Sequence, residues 1–350
     1  MRSFLVRLWI DSLTPKQVLF TKAIVERAPS KVKCTVTTRD YSELNQFVSQ
    51  TGLANKRVGR HGGGDIKKKL SASIDRQKLL IPFATEHDFD FSLSFLSPEA
   101  ARVSFGLGVP HYLCSDSPHA YIPSRLCVPL STCMYTPFPI KKQRWTQYGI
   151  KPNQVKMYHA LDPWAWLQSQ KVKTESKVTG RVMIRLEERL ASYFEKGKGV
   201  SDTLSELIDA IRGISDFEIM LIPRYDDQRE WAKRKYGKVC NVPLTTIDGA
   251  KAIGRTDLLI GGGGTMTQEA ALLGIPNISY FPSADLDVFS NYYFPKKLSI
   301  KASSPTQLIK STCSILRKID SVKPDFLERA KTETSKFEDP IKFIFENLFE

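Results

Sequence analysis

Four consecutive glycines, Gly261, Gly262, Gly263 and Gly264, separate the apolar run DLLI from the helical pattern TMTQEAALLG. Glycine leaves its backbone N–H groups bare, so an anion can approach them with no side chain in the way. A helix starting near Thr265 adds the partial positive charge of its N-terminus. The combination suits a phosphate or pyrophosphate. Thr265 and Thr267 could donate hydroxyls or cap the helix. Glu269, one turn further on, could accept both hydroxyls of a ribose. The plainer alternative is a tight strand-to-helix packing turn with a surface glutamate. Neither a G-x-G-x-x-G fingerprint nor the Lys-Ser/Thr of a P-loop is present, which disfavours a dinucleotide or Walker-type ATP site.

Other strand ends carry chemistry of their own, each with a structural alternative. Arg60 and His61 precede a second glycine run at 62–64, either a loop that folds over a ligand with His61 or Arg60 as its polar handle or a plain connection. Glu99 follows Ser97 and Pro98, as a site carboxylate or as a partner of its helix dipole. Asp116 and His119 emerge together in SDSPHA, where an acid/base pair would be useful; Asp116 or Ser117 could instead cap a helix at Pro118. Asp11 ends a buried strand, a costly place for a charge without a partner, with Ser12 or Thr14 as the helix cap beside it. Arg39 and Asp40 could form a local ion pair. Arg185 ends VMIRL and Arg224 ends LIPR, two guanidiniums at strand ends that suit a phosphorylated ligand or serve only as surface charge. Asp248 reads as a cap.

These turns belong to an alternation of apolar strands with helical patterns. FLVRLWI, KVKCTVTT, KRVG, DFDFSLSFL and VPHYLC are strands in the first half; GRVMIRL, FEIMLIP, DLLIG and PNISYF are strands in the second. Pro15 reads as a first helical residue and Asp40 as a cap for YSELNQFVSQTG. Strands alternating with helices mean β-α-β units and parallel sheets. A chain of 350 residues is long for one core, so two domains are expected. The fold class is therefore α/β, two Rossmann-like doubly wound parallel-sheet domains facing a cleft. The boundaries are 1–162 for the first domain, 163–179 for a polar linker and 180–336 for the second. Three helical patterns at the end have no strand between them. Ligands of open parallel sheets sit at the carboxyl ends of the strands, so the function should be written in these turns.

Composition narrows the class. The start MRSFLVRLWIDSLTP is broken too early for a signal peptide and reads as a core strand. No apolar run approaches the ~20 residues of a membrane span. Six cysteines form no C-x-x-C pair and no zinc spacing, which reads as reduced thiols in a cytoplasmic protein, without a metal. The net charge of +14, with KKKL at 67–70 and KKQR at 141–144, fits nucleic acid, anionic lipid, a phosphorylated ligand or a merely solvated surface. No aromatic-rich basic sheet motif of the RNA-binding kind is present.

Taken together, WIDSLTPKQ, TTRDY, GRHGGG, SPEAARVSFGLGVP, SDSPHA, PRYDDQ and GGGGTMTQEAALLGIP resemble a largely archaeal family of unknown function (a DUF-type family) with the glycosyltransferase-B architecture, allied to the non-hydrolysing UDP-N-acetylglucosamine 2-epimerases. The resemblance covers nearly the whole chain. It implies that Gly263, Gly264 and Thr265 hold the UDP phosphates, that Glu269 holds the ribose, and that Asp116 stands near an acid of the first domain. It also implies that the C-terminal helix, 337–350, completes the first domain. The chain departs from the epimerases at three turns. Residues 11–15 lack the arginine of their opening Gly-Thr-Arg-Pro-Glu turn, RLEERL lacks the histidine of their His-Arg-Arg-Glu-Asn turn, and Ser97 or Pro98 replaces an aspartate. The expectation is a sugar-nucleotide enzyme, with transfer from a UDP-sugar-like donor preferred. Arg224 and Arg185 would assist the glycine turn, and Asp11, His61, Glu99, Asp116 and His119 would face the sugar or acceptor. No cofactor or metal is expected. The protein would be cytoplasmic, with a lipid-linked acceptor placing it at a membrane surface. Epimerisation, and a non-catalytic protein that binds a nucleotide or RNA, remain the alternatives.

Overall fold

Trp9 explains why the first sheet forms where it does. It lies in β1 (Val6–Ser12), a strand buried along most of its length, and its ring meets Phe83 and Phe89 at centroid distances of 6.2 and 5.9 Å. Each such fully buried side chain contributes about 1.5–3 kcal/mol, and the helix Ile66–His87 supplies Leu80, Phe83 and Ala84 to the same cluster. Around β1 stand β2 (Val32–Asp40), β3 (Lys56–Arg60), β4 (Phe91–Ser94), β5 (His111–Cys114), β6 (Cys133–Pro137) and β7 (Val155–Tyr158). All are parallel, in the order β3-β2-β1-β4-β5-β6-β7. The chain runs outward from β1 to β3, then crosses to β4 and runs the other way. Right-handed crossovers therefore place the helices Ile66–His87, Pro98–Leu107 and Tyr121–Cys127 together on one face of the sheet. The helix Pro15–Arg27 takes the other face, in contact with Ser42–Thr51 and with Pro340–Leu348 at the end of the chain.

The computed structural model describes residues 5–170, 172–187, 199–245, 247–281 and 286–348. Residues 188–190 of RLEERL, Lys171 of the linker and the last two residues of the C-terminal helix lie outside them. The chain divides into a first unit, Met1–Trp166 with Glu338–Glu350, and a second, Leu167–Phe337.

The second unit holds β8 (Arg181–Arg185), β9 (Glu218–Ile222), β10 (Leu258–Gly261), β11 (Asn277–Tyr280) and β12 (Ile300–Ala302), all parallel, in the order β12-β11-β10-β8-β9. At the amino end of β10 the buried Asp257 accepts backbone N–H bonds from Thr179, Gly180 and Arg181 and an ion pair from Lys323 at 2.6 Å. After the helix Thr265–Leu272, Gly274 has φ +72, and a Cβ there would stand 2.5 Å from the Leu327 backbone. The Gly-Ile-Pro signature is thus a place where one helix passes close over the turn of another.

Strands β6, β7 and β12 were not among the apolar runs singled out in the sequence. They are short, and β6 ends in Pro137. One cap assignment is corrected, and the capping alternative at Asp116 and Ser117 drops out. The helix Ser42–Thr51 has Tyr41 at its N-cap with no side-chain bond, while Asp40 accepts from Asn45 instead. No helix starts at Pro118; the next begins at Tyr121, so neither Asp116 nor Ser117 is a cap. Thr14 and Asp248 do cap their helices. Among the described residues no helix is long and apolar enough to cross a membrane.

Candidate functional site

Within each sheet the strand order reverses once, between β1 and β4 in the first unit and between β8 and β10 in the second. Ligands of doubly wound sheets bind outside the carboxyl ends at such switch points. The switch point of the second unit is the glycine turn. Gly263 has φ +71, and a Cβ there would stand 2.6 Å from Leu286 Cδ1 and 3.0 Å from Ser279 Oγ, so only glycine fits without a shift. The helix Thr265–Leu272 starts at Gly264, its N-cap, with no side-chain cap bond; Thr265 and Thr267 therefore do not cap it. The Thr267 hydroxyl instead packs back on the turn, 2.8 Å from where a Cβ on Gly261 would be. Gly262, Gly264 and Thr265 keep part of their surface open to solvent.

Both arginines stand at this turn. Arg224 Nη2 lies 3.1 Å from the position a Cβ on Gly264 would take, and its Nε donates to Leu186 O at 3.1 Å. Arg185 Cβ lies 3.6 Å from the corresponding position at Gly261, and its Nη1 donates to Pro223 O at 2.7 Å. Each guanidinium is tethered through a backbone carbonyl at the end of the neighbouring strand. A guanidinium carries five N–H donors in a rigid fork. Two such groups beside a helix N-terminus without a side-chain cap and two partly exposed glycines make a chemistry suited to a diphosphate. Glu269 is buried one turn into the helix, with Oε2 3.6 Å from where a Cβ on Gly249 would stand. Gly249 opens the short helix capped by Asp248.

The carboxyl edge of the first unit is built from ion pairs. Asp11 is wholly buried and accepts four bonds: from Arg76 Nη2 and Nη1 at 2.6 and 2.9 Å, Thr37 at 2.6 Å and Ser97 at 2.7 Å. Burial pushes its carboxyl up, but the Arg76 guanidinium and these bonds outweigh it and hold the carboxyl below its usual range. Arg76 also donates to Val58 O and lies 3.6 Å from Glu99 Oε2, and Ser97 Oγ is 3.3 Å from the same oxygen. Glu99 thus joins Asp11 around one guanidinium. His61 is near this group. Its Nδ1 accepts the Gly63 N–H at 3.1 Å, and its ring tilts against Tyr41. Burial, then the charges of Arg39 and Lys69, push it down to about 4, so it is neutral near pH 7.

Asp116 belongs to a second group, with its carboxylate 2.6 Å from Lys16 Nζ and accepting from Ser117 Oγ at 2.8 Å. Lys16 also meets Asp162 at 2.8 Å, and Tyr158 donates its hydroxyl to Asp162. Burial raises the Asp162 carboxyl; Lys16 opposes this and Asp116 adds to it. His119 sits half-buried in the following turn, where Tyr148 donates to Pro118 O. The structure gathers Asp11, Glu99 and His61 near Arg39 and Arg76, and Asp116 with Lys16 and Asp162. Among the described residues no group of three or more His, Cys, Asp and Glu side chains is placed to hold a metal ion.

Lys16, Arg76, Tyr158 and Asp162 were not singled out from sequence, yet two of them left signals there. A lysine at the second position of a helix opposes the helix dipole and calls for carboxylates nearby. A carboxylate ending a buried strand calls for a cation, and Arg76 answers it. Gly59, with φ +70 and its missing Cβ 2.7 Å from Arg76 Cγ, is the opening that lets that side chain through.

The chain is 24% identical over 316 residues to "Uncharacterized protein MJ0665" of Methanocaldococcus jannaschii, covering 86% of this chain and 89% of that one. Its structure is similar to that of the UDP-GlcNAc 2-epimerase from Neisseria meningitidis bound to UDP-GlcNAc, with TM-score 0.70 and 13% identity over 98% of this chain and 100% of that one. It is also similar to the spinosyn rhamnosyltransferase SpnG complexed with thymidine diphosphate, with TM-score 0.59 and 13% identity over 99% and 100% of the two chains. At such identities the likeness is one of fold, the glycosyltransferase-B fold of two parallel-sheet α/β domains. A family model described as "Protein of unknown function (DUF354)" matches residues 6–350, and the chain belongs to that family.

Proposed function

We propose that this protein is a sugar-nucleotide-dependent enzyme that transfers a glycosyl group from a UDP-sugar-like donor. The observation that carries the reading is the glycine turn at the second unit's switch point, with the Arg224 guanidinium against Gly264 and Arg185 beside Gly261. The diphosphate lies on the exposed amides of this turn and on the helix N-terminus, and the two arginines neutralise it. Glu269 accepts the ribose hydroxyls. Departure of a nucleoside diphosphate builds negative charge on the leaving oxygens, and fixed N–H donors and guanidiniums stabilise that charge without reorganising. Nucleotides bound to proteins of the same fold, UDP-GlcNAc in the epimerase and thymidine diphosphate in the rhamnosyltransferase, support this ligand class.

On the first unit, Asp116, Glu99 and His119 are the groups offered to the acceptor or sugar. Asp11 orients Arg76 beneath Glu99 rather than touching substrate. Epimerisation would need an acid and a base on opposite sides of the sugar ring. The departures from the epimerases at residues 11–15, at RLEERL and at Ser97 or Pro98 fall on their chemistry rather than on the nucleotide turn, which is why transfer is preferred.

The test is thermal stabilisation against UDP, UDP-sugars, TDP-sugars and UMP, since a ligand that binds only the native state raises its stability by mass action. A UDP-sugar should stabilise more than UMP. Arg224→Ala should weaken that ligand by about tenfold or more, the worth of one charged hydrogen bond. Stabilisation by no nucleotide sugar, or binding untouched by Arg224→Ala and Glu269→Ala, would remove the reading. Product analysis with the stabilising sugar then separates transfer, which releases UDP, from epimerisation, which does not.

A further inference from the structure

Among the described residues, ten of the fourteen exposed large hydrophobic side chains lie between Ile66 and Leu126. They sit on the three helices that share one face of the first sheet, Ile66–His87, Pro98–Leu107 and Tyr121–Cys127, each packed against the next. On the first of these, Ile66, Leu70, Ile74 and Ile81 fall within one narrow stripe at helical spacing, and Ile66 and Leu70 are 82% and 63% exposed. Phe105 on the second helix and Ile122 and Leu126 on the third are all more than half exposed. An isolated exposed leucine needs no explanation, but ten exposed large apolar side chains gathered on three helices packed together do.

The charges on the same helices give the face its partner. Lys67, Lys68, Lys78, Arg102 and Arg125 are exposed there, against Asp75 and Glu86. Lys67 and Lys78 flank the apolar stripe on one side at helical spacing. Arg125 is anchored by its bond to the Tyr121 hydroxyl at 2.7 Å and lies over that ring. Apolar side chains bordered by long cations are what an interfacial helix presents to a bilayer, the apolar groups entering the acyl boundary and the cations meeting anionic headgroups. The opposite face of the sheet, with helices Pro15–Arg27 and Pro340–Leu348, exposes no large hydrophobic among its described residues.

We propose that the outer surface of these three helices docks the first unit on an anionic lipid bilayer. The inference rests on no part of the nucleotide reading. It is tested by co-sedimentation of the full chain with phosphatidylcholine vesicles and with vesicles that also contain phosphatidylglycerol. The expected result is binding to the anionic vesicles, weakened by salt. Each of Lys67→Gln and Lys78→Gln should lower it by about fivefold, the contribution of one cation near a charged surface. Phe105→Ser with Leu126→Ser should lower what remains at high salt. All four positions are exposed, and an unchanged melting temperature of each variant establishes that the fold is intact. No binding to anionic vesicles at low salt overturns the proposal, as does binding that these substitutions leave unchanged. If light scattering shows a dimer that Phe105→Ser with Leu126→Ser makes monomeric, the face belongs to a second copy of the chain and the proposal also fails.

Discussion

Asp11, next to last in β1, and Gly261, last in β10, stand at equivalent places, the switch points of their sheets. Asp11 is enclosed by four hydrogen bonds and a buried guanidinium. Gly261 opens a turn whose backbone is bare and whose neighbouring arginines are tethered to backbone carbonyls. The first arrangement satisfies charge with charge inside the fold. The second sets two guanidiniums beside a glycine turn, where the diphosphate is proposed to lie. Substitutions at the first edge should therefore be read in stability, and substitutions at the second in ligand affinity.

The largest effect should come from Arg76→Ala. It would leave the Asp11 carboxylate buried and without its counter-charge, a loss of about 3–5 kcal/mol. Urea unfolding measures it. A loss below about 1 kcal/mol, the range of exposed pairs, would show that water reaches this ion pair and would erase the contrast between the two edges.

The histidines of the first unit give the next effect. His111 is fully buried between Ser92 Oγ at 2.7 Å and Ser94 Oγ at 3.0 Å, and burial pushes it down to about 3. In the unfolded chain it takes up a proton near pH 6.5 that the folded protein refuses. Stability is therefore complete above that pH and falls as the pH drops from 6.5 toward 3, by about 1.4 kcal/mol per pH unit for one such group. His61, pushed down to about 4, steepens the fall above pH 4. Melting temperature against pH, in wild type and His111→Gln, is the measurement. Identical slopes in both would mean that His111 carries its proton in the folded state.

Gly59→Ala should come third. Its φ of +70 alone costs an L-residue about 1–2 kcal/mol, and the new Cβ would meet the Arg76 side chain at 2.7 Å. Because the neighbour is the stem of the residue that pairs with Asp11, Gly59→Ala combined with Arg76→Ala should cost less than the sum of the two. Additivity would mean that the glycine serves only its own backbone.

How far such effects are legible in the sequence depends on whether partners are near in the chain. The glycine turn, the Pro15 helix start and the alternation of strands and helices are local, and each could be read from a few adjacent residues. Arg76 is sixty-five residues from Asp11, and Asp162 is still further from Lys16, so only the need for a partner was visible and not its identity. Strands β6 and β7 were passed over because they are short, and the helix Gln143–Thr146 between them is a single turn. Asp40 stands one residue before the N-cap Tyr41 and binds the Asn45 side chain of the same helix, a displacement of one position that a local rule does not resolve; Asp116 meets Lys16, one hundred residues away, which no local pattern announces.

Gly264→Ala should have the smallest effect on stability and is the sharpest comparison with Gly59→Ala. Gly264 has φ −80, which any residue adopts, and a Cβ there would meet only the far end of the Arg224 side chain, at 3.1 Å. The stability change should stay within about 1 kcal/mol, the cost of alanine in place of glycine at an N-cap. The methyl group would nonetheless stand at the mouth of the helix, between the exposed amides and the Arg224 guanidinium, where the diphosphate is proposed to lie. Affinity for the stabilising UDP-sugar should fall by about tenfold, the loss of one charged contact. Unfolding curves and a ligand titration on the same sample separate the two quantities. If stability drops as far as in Gly59→Ala while affinity holds, the four glycines serve only to pack a strand against a helix, and the two edges differ in composition but not in purpose.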